Sequence, residues 1–502
     1  MKHTSTDQTA SDQSKILQVL SGLALGMFLS ALDQTVISTA SPTIATSLGH
    51  LSGQSWLITS YLGATLITTP IYGRLSDGFG RRRLFVIALS LFLIGSAMSA
   101  GATTFSFLVF GRSIQGLGAG GLFSLAFAVI ADLVPPRERG RYTLFFVAIF
   151  GSASLLGPIF GGFIASAAKI FGIAGWRWIF AFNLPIGLLA IGLALRYLHV
   201  PQRLIRQRLD LAGVLSFAVF IVSLLVLSES SNSSLISSIR LWLAIAGATG
   251  LVGFILVEKR MADRAFIPLF FFRNRLFAIT VFISAIAGAG MIIGLLITPL
   301  VAQVQYGVSA VTGGLLLLVT GFGNLLGSGF GSRVITKSGR YRELAIAGLV
   351  AFALGFLIFA MTLDSGFIGI SFAVFLLGVG SGLVTQFASV TAPYALGDEH
   401  LGAGSSINTF ARQFGSVMGA GFSLAVLFQS WKFRDGINSK LISTQNGSLR
   451  HLSSAAKASF ADAARPVLLY SGVIMLVGVA IAVLLPRGVL DAGHRSASTV
   501  AD

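Results

Sequence analysis

An aspartate stands where a charge is costly. Asp33 lies within FLSALDQTVISTASPTIA, Phe28 to Ala45, a stretch whose flanks are apolar enough to span a bilayer. A carboxylate there must be paired, protonated or turned toward water. A guanidinium, Arg112, occupies a second apolar run. With span 1 leaving the membrane near Pro42 and span 4 entering near Phe105, the two residues lie ~13 Å and ~10 Å from the outer surface at ~1.5 Å per residue. Those depths agree within a helical turn, so the two charges are expected to pair in at least one state, each being costly alone. Such a pair can switch a proton. A guanidinium close by favours the ionised carboxylate, and its withdrawal favours the protonated one.

Other polar groups inside apolar runs could line a path. Ser30, Gln34, Ser38 and Ser41 recur at steps of four, four and three, and a polar stripe of this kind faces a helix interface or a watery cavity rather than lipid. A second cluster comprises Ser405, Ser406, Asn408, Thr409, Arg412 and Gln413. Arg412 falls near mid-membrane by count, placed to meet an anionic substrate, an acid or backbone carbonyls. The candidate cavity-lining residues are Gln34, Ser38, Gln115, Asn408, Arg412 and Gln413. Asp33 is the only acid well inside an apolar run, since Asp364, Asp398 and Glu399 fall at ends. That favours neutral, anionic or monocationic lipophilic substrates, in a cavity lined by some of the 41 phenylalanines.

No metal site or cofactor is expected. There is no cysteine, and His3, His50, His199, His400, His451 and His494 all fall in connections, tails or near span ends. No Ser/His/Asp set, metal spacing or phosphate loop suggests an enzyme.

The elements that must position these residues are membrane helices. Hydrophobic residues make up 54% of the 502 and charged residues only 11%, and apolar runs of spanning length recur throughout. We place spans at 17–42, 55–73, 84–102, 106–131, 143–168, 178–196, 211–228, 241–257, 276–303, 311–330, 344–362, 367–394, 402–429 and 466–485. Fourteen spans put both termini on one side. Connections 74–83, 132–142, 196–210, 258–275 and 331–343 hold 4, 3, 4, 5 and 4 Lys or Arg, whereas the opposite short connections hold only Lys169, Arg177 and Arg240. The positive-inside rule therefore places both termini in the cytoplasm. The longest outer loop, 430–465, is an exception with six basic residues. Since the basic residues sit between spans, the net charge of +17 marks cytoplasmic loops rather than a nucleic-acid surface. The first sixteen residues lack a cleavable signal pattern.

An internal repeat organises these spans. Gly73-Arg-Leu-Ser-Asp77-Gly-Phe-Gly80-Arg81-Arg-Arg83 follows span 2, and Gly331-Ser-Arg-Val-Ile-Thr-Lys-Ser-Gly339-Arg340-Tyr-Arg342 follows span 10. If the two correspond, spans 9 to 14 repeat spans 1 to 6 and spans 7 and 8 are inserted. The expected organisation is a cytoplasmic tail (1–16), an N-terminal six-helix lobe (17–196), a central insert (197–275), a C-terminal six-helix lobe (276–485) and a cytoplasmic tail (486–502).

These residues resemble a known family. GRLSDGFGRRR looks like the signature between the second and third helices of the major facilitator superfamily, with Gly78 where the family commonly has Arg. Leu32-Asp33-Gln34-Thr35, Arg112-Ser-Ile-Gln115-Gly116, the run from Gly151 through Gly157-Pro158 to Gly161-Gly162, and Trp176-Arg177-Trp178 through Asn183 to Gly187 are similar to motifs of its fourteen-helix drug:proton antiporter branch. The resemblance implies an all-α polytopic fold of two six-helix lobes plus two central helices. It implies a conformational latch at Gly73, Asp77, Gly80, Arg81 and Asp132, in which Arg81 can pair with Asp132. It also implies an antiporter motif at Gly151, Gly157, Pro158, Gly161 and Gly162, where small residues and a proline let span 5 rock against its neighbour.

The expected function is proton-coupled export of amphipathic or lipophilic small molecules across the cytoplasmic membrane by alternating access. The proton is the coupling ion at Asp33 and Arg112. The expected partners are the substrate, the bilayer and, where the host has an outer membrane, a periplasmic adaptor. A transporter of one specific metabolite would share the fold. A non-transporting scaffold or a membrane-embedded enzyme is the competing class.

Overall fold

The computed structural model describes residues 4–50, 53–133, 149, 152–153, 156–164, 167, 169–198, 211–228, 234–261, 269–364, 366–397, 401–435 and 454–487. Its helices are α1 (Thr4–Ser47), α2 (Trp56–Phe79), α3 (Arg81–Ala100), α4 (Phe105–Leu133), α5 (156–164), α6 (Arg177–Ala181), α7 (Asn183–Tyr197), α8 (Leu211–Ser228) and α9 (Ser234–Met261). They continue with α10 (Arg275–Tyr306), α11 (Ala310–Ser338), α12 (Tyr341–Thr362), α13 (Phe367–Leu396), α14 (Leu401–Asp435) and α15 (Ser454–Val483). Among the described residues, ten helices are long and apolar enough to cross a membrane. Large apolar side chains such as Phe163, Leu188, Trp242, Leu325 and Ile368 point outward. An apolar exterior of this extent suits hydrocarbon rather than water. The chain is a multi-pass membrane protein.

It divides into two compact units, Met1–Val222 and Ser223–Asp502, with the division inside α8. In the first unit, α4 is the hub and glycines set its packing. A Cβ on Gly95 or Gly118 would collide with backbone across the α3–α4 contact, and one on Gly116 would strike the Tyr61 carbonyl of α2. Between membrane helices, where no water is expelled, such small residues permit the close backbone approach that supplies packing energy. α1 packs on α7 and α4, and α3 on α7. In the second unit α13 packs on α11 and α12, α10 on α13, α14 and α15, and α12 on α15. The pairings α11–α13, α12–α13, α10–α13, α12–α15 and α10–α15 match α2–α4, α3–α4, α1–α4, α3–α7 and α1–α7.

Several boundaries depart from expectation. The basic connection at 74–83 is mostly helix: α2 runs to Phe79, α3 starts at Arg81, and Gly80 alone turns the corner at φ 93°. The corner after α11 is similar, with Gly339 at φ 63°. Charged residues do not end these helices, because a 24-residue helix such as α2 is ~36 Å long and projects beyond a ~30 Å hydrocarbon layer into water. Only a left-handed glycine breaks the run. The expected N-terminal tail is helical from Thr4. The outer loop 430–465 narrows because α14 extends to Asp435 and α15 begins at Ser454. In each case the change from apolar to polar residues marks a membrane boundary, not a helix end. Half of span 143–168 falls outside the described residues, Gly151 included. A two-residue hairpin also precedes α6, pairing Lys169 with Ala174 and Ile170 with Ile173. Its turn, Phe171 at φ 50° and Gly172 at φ 80°, is the left-handed kind that matches strand twist.

Candidate functional site

Four helices of the first unit converge on Asp33. Arg112 and Gln115 are three apart on α4 and so share a face. Arg112 Nη1 donates to Asp33 Oδ2 at 2.5 Å and to Gln115 Oε1 at 2.7 Å. Gln115 Nε2 donates to Asp33 Oδ1 at 2.8 Å and to Ser96 Oγ of α3 at 2.9 Å. Asn183, the first residue of α7, donates through Nδ2 to Asp33 Oδ1 and to Ser96 Oγ, both at 3.1 Å. Arg112 Nε donates to the Leu57 carbonyl at 2.9 Å, and its guanidinium lies 4.3 Å from the centre of the Tyr61 ring. The pair is sealed, with side-chain exposure of 1% for Arg112 and 0% for Asp33.

Every group that bonds to the carboxylate is a donor. The Gln115 amide has one sensible orientation, because Arg112 can only donate and must therefore meet Oε1, which turns Nε2 to Asp33. A proton on Asp33 would find no acceptor until Gln115, Asn183 or Arg112 moved.

α1 is held beside α5 at the same level. Thr35 Oγ1 donates to the Ala153 carbonyl at 3.2 Å, and a Cβ on Gly157 or Gly161 would collide with Thr35 or with Thr39 and Val36. Pro158 and Gly162 are buried nearby. Span 5 thus rests on α1 two residues from Asp33.

The remaining candidates divide by surroundings. Gln115 was expected on a cavity wall and is instead a direct partner of Asp33. Ser38 is buried with Oγ bonded to the Thr35 carbonyl at 2.6 Å, which makes it packing rather than cavity surface. Gln34 is half-buried. In the second unit, Asn408 Oδ1 accepts from Ser284 Oγ, Gln413 Oε1 is buried with no hydrogen bond among the described residues, and Arg412 is half-buried. Of the latch residues, Gly80 forms the α2–α3 corner and Arg81 Nη1 donates to Ser76 Oγ. Gly73 and Asp77 lie on α2 and Asp132 on α4, but the surroundings of Gly73 and the side chains of Asp77 and Asp132 lie outside the described residues, and so does the expected Arg81–Asp132 contact.

Sequence reasoning missed Ser96, Tyr61 and the Leu57 carbonyl, and gave Asn183 no role. Asn183 carried a signal, being an amide within an apolar run two residues before Pro185. Ser96 carried none.

Comparison with known proteins adds the lineage. The family profile of the Major Facilitator Superfamily matches residues 23–420. The chain belongs to that superfamily. It is similar to Multidrug resistance protein 3 of Bacillus subtilis (strain 168), 34% identical over 82% of this chain and 80% of that protein. It is also similar to Multidrug transporter protein MdtP of the same strain, 33% identical over 81% of this chain and 74% of that one. The fold resembles a solved bacterial homolog of the human lysosomal transporter Spinster, with TM-score 0.66 at 14% identity over 94% and 96% of the two chains. It likewise resembles a D-xylose-proton symporter, with TM-score 0.60 at 20% identity over 86% and 95%. As a member of the Major Facilitator Superfamily, the chain is a transporter rather than an enzyme.

Proposed function

We propose that this transporter is a proton-coupled antiporter of the fourteen-helix drug:proton branch, exporting amphipathic or lipophilic small molecules across the cytoplasmic membrane. The observation that carries the proposal is the all-donor cage around Asp33. A ligand drives a conformational change only by binding two states with different affinity. In the caged state both carboxylate oxygens accept hydrogen bonds from Arg112, Gln115 and Asn183. In a state where α4 or α7 shifts, Arg112 and Asn183 withdraw and the acid takes a proton from outside. Neutralised Asp33 no longer holds Arg112, and the lobes exchange access. Release of the proton inward re-forms the cage. α5, seated on α1 by Gly157 and Gly161, supplies a surface on which α1 can rock. The relatives named for multidrug resistance and multidrug transport support the export direction.

We place fourteen spans with both termini cytoplasmic, in two six-helix lobes (17–196 and 276–485) joined by the insert 197–275. The proton is the only coupling agent and no cofactor takes part. The bilayer and the substrate are its partners, with no nucleic acid, and a periplasmic adaptor joins where the host has an outer membrane. The test is proton movement in proteoliposomes with a trapped pH dye. Adding a transported dye on one side should drive protons the opposite way. Protons that accompany the dye would make the protein a symporter, and dye flux with no proton movement would remove the coupling.

A further inference from the structure

Arg112 and Arg412 both lie well inside apolar runs, and they differ in how they are satisfied. Arg112 is sealed and bonded through three contacts. Arg412 lies ten residues into the apolar run 402–429 expected to span, ~15 Å along the axis at ~1.5 Å per residue, or about half the thickness of a ~30 Å hydrocarbon layer. Its guanidinium meets no carboxylate, no hydrogen-bond acceptor and no aromatic ring among the described residues, and only its backbone carbonyl is engaged, by Ser416. The one acid well inside an apolar run, Asp33, is already paired in the other unit. A cation left so at this depth is costly and marks a functional position.

The surroundings of Arg412 are built for an anion. Ser405, Thr409 and Arg412 follow at steps of four and three, which puts them on one face of α14. Ser405 is exposed, and Thr409 and Arg412 are half-buried, so the described residues do not close over the stripe. Asn408, one turn before Arg412, has its Oδ1 engaged by Ser284 of α10, which leaves Nδ2 to donate. The neighbouring edge of α14 is fixed: a Cβ on Gly288 would strike the Arg412 carbonyl, and one on Gly415 the Ala285 carbonyl. The donors therefore stand on a helix that cannot turn away. Guanidinium, amide and two hydroxyls together present donors and one positive charge, with no acid among the described residues to offset it.

We propose that Ser405, Asn408, Thr409 and Arg412 form an anion-recognising surface in the transport path, so that the preferred substrates are amphipathic anions bearing a carboxylate or similar group. This rests on the transport reading above and adds the substrate's charge to it.

The test uses two dyes of one xanthene skeleton and opposite charge, fluorescein and rhodamine 123, bound at equilibrium to the full-length protein in phosphatidylcholine nanodiscs and read by anisotropy. Fluorescein should bind about tenfold more tightly than rhodamine 123, and Arg412→Gln should erase that preference by weakening fluorescein about tenfold. Arg412→Lys should keep part of it. Asn408→Ala, which spares the charge, should weaken fluorescein about threefold and serves if Arg412→Gln does not fold. Equal fluorescein affinity in wild type and Arg412→Gln, or a wild-type preference for rhodamine 123, overturns the proposal. Loss of fluorescein binding when phosphatidylglycerol is added would assign the site to a lipid headgroup and overturn it equally. No gradient is involved, so failure here leaves proton coupling standing, and failure of coupling leaves this binding result intact.

Discussion

The cage around Asp33 makes a quantitative prediction about a double-mutant cycle. Arg112→Gln removes the counter-charge found among the described residues and leaves Asp33 buried with two amide donors, Gln115 and Asn183. Breaking a buried pair from one side costs about 3–5 kcal/mol. Asp33→Asn is milder, because Arg112 still donates to the Leu57 carbonyl and Gln115 Oε1 and still lies on the Tyr61 ring. A desolvated cation–π contact contributes about 2 kcal/mol, which lowers the expected cost to about 1–3 kcal/mol. Combining both substitutions removes both buried charges, and replacing a whole buried pair with neutral groups is often close to neutral in stability. The double variant should therefore be more stable than Arg112→Gln alone, with a coupling energy of about 2 kcal/mol or more. Equilibrium unfolding in mixed micelles of rising dodecyl sulfate content, followed by tryptophan fluorescence, measures all four corners. Additivity within about 0.5 kcal/mol would refute the pair as an energetic unit.

Three further outcomes follow from the packing. Asn183→Ala removes a buried amide that holds both Asp33 and Ser96, and should cost about 1–3 kcal/mol in the same assay while weakening the response of transport to a pH gradient. Gly95→Val forces a side chain into the α4 backbone beside Gln115 and should cost about 3 kcal/mol or more in folded yield, whereas Gly192→Ala, which meets nothing within 4 Å, should be harmless. Gly80→Ala places a Cβ at φ 93° and should cost about 1–2 kcal/mol and slow transport, as measured by dye flux.

Some of this was legible in the chain. Asp33 and Arg112 could be paired by counting because the rise of a helix is fixed and both depths are counted from the same, outer, surface. Gln115 was within reach too, lying one turn beyond Arg112 on the same face, yet polarity alone suggested a cavity wall. Ser96 and Tyr61 were hidden, since a lone hydroxyl in an apolar helix looks the same whether it caps its own backbone or completes a distant cage. Charge misled at the helix ends: Arg74, Asp77 and Arg81 signal the membrane surface, while the backbone break depends on the conformation of Gly80. The hairpin at 169–174 is too short to leave a periodic pattern, and only Phe171-Gly172 hints at it.

The central claim is that proton transfer at Asp33 drives the conformational cycle. Proteoliposomes containing Asp33→Asn, loaded with a transported dye and exposed to an imposed pH gradient, test it most directly. The account predicts that downhill dye exchange survives and the gradient no longer concentrates dye. Gradient-driven accumulation equal to wild type in the Asp33→Asn protein would contradict it.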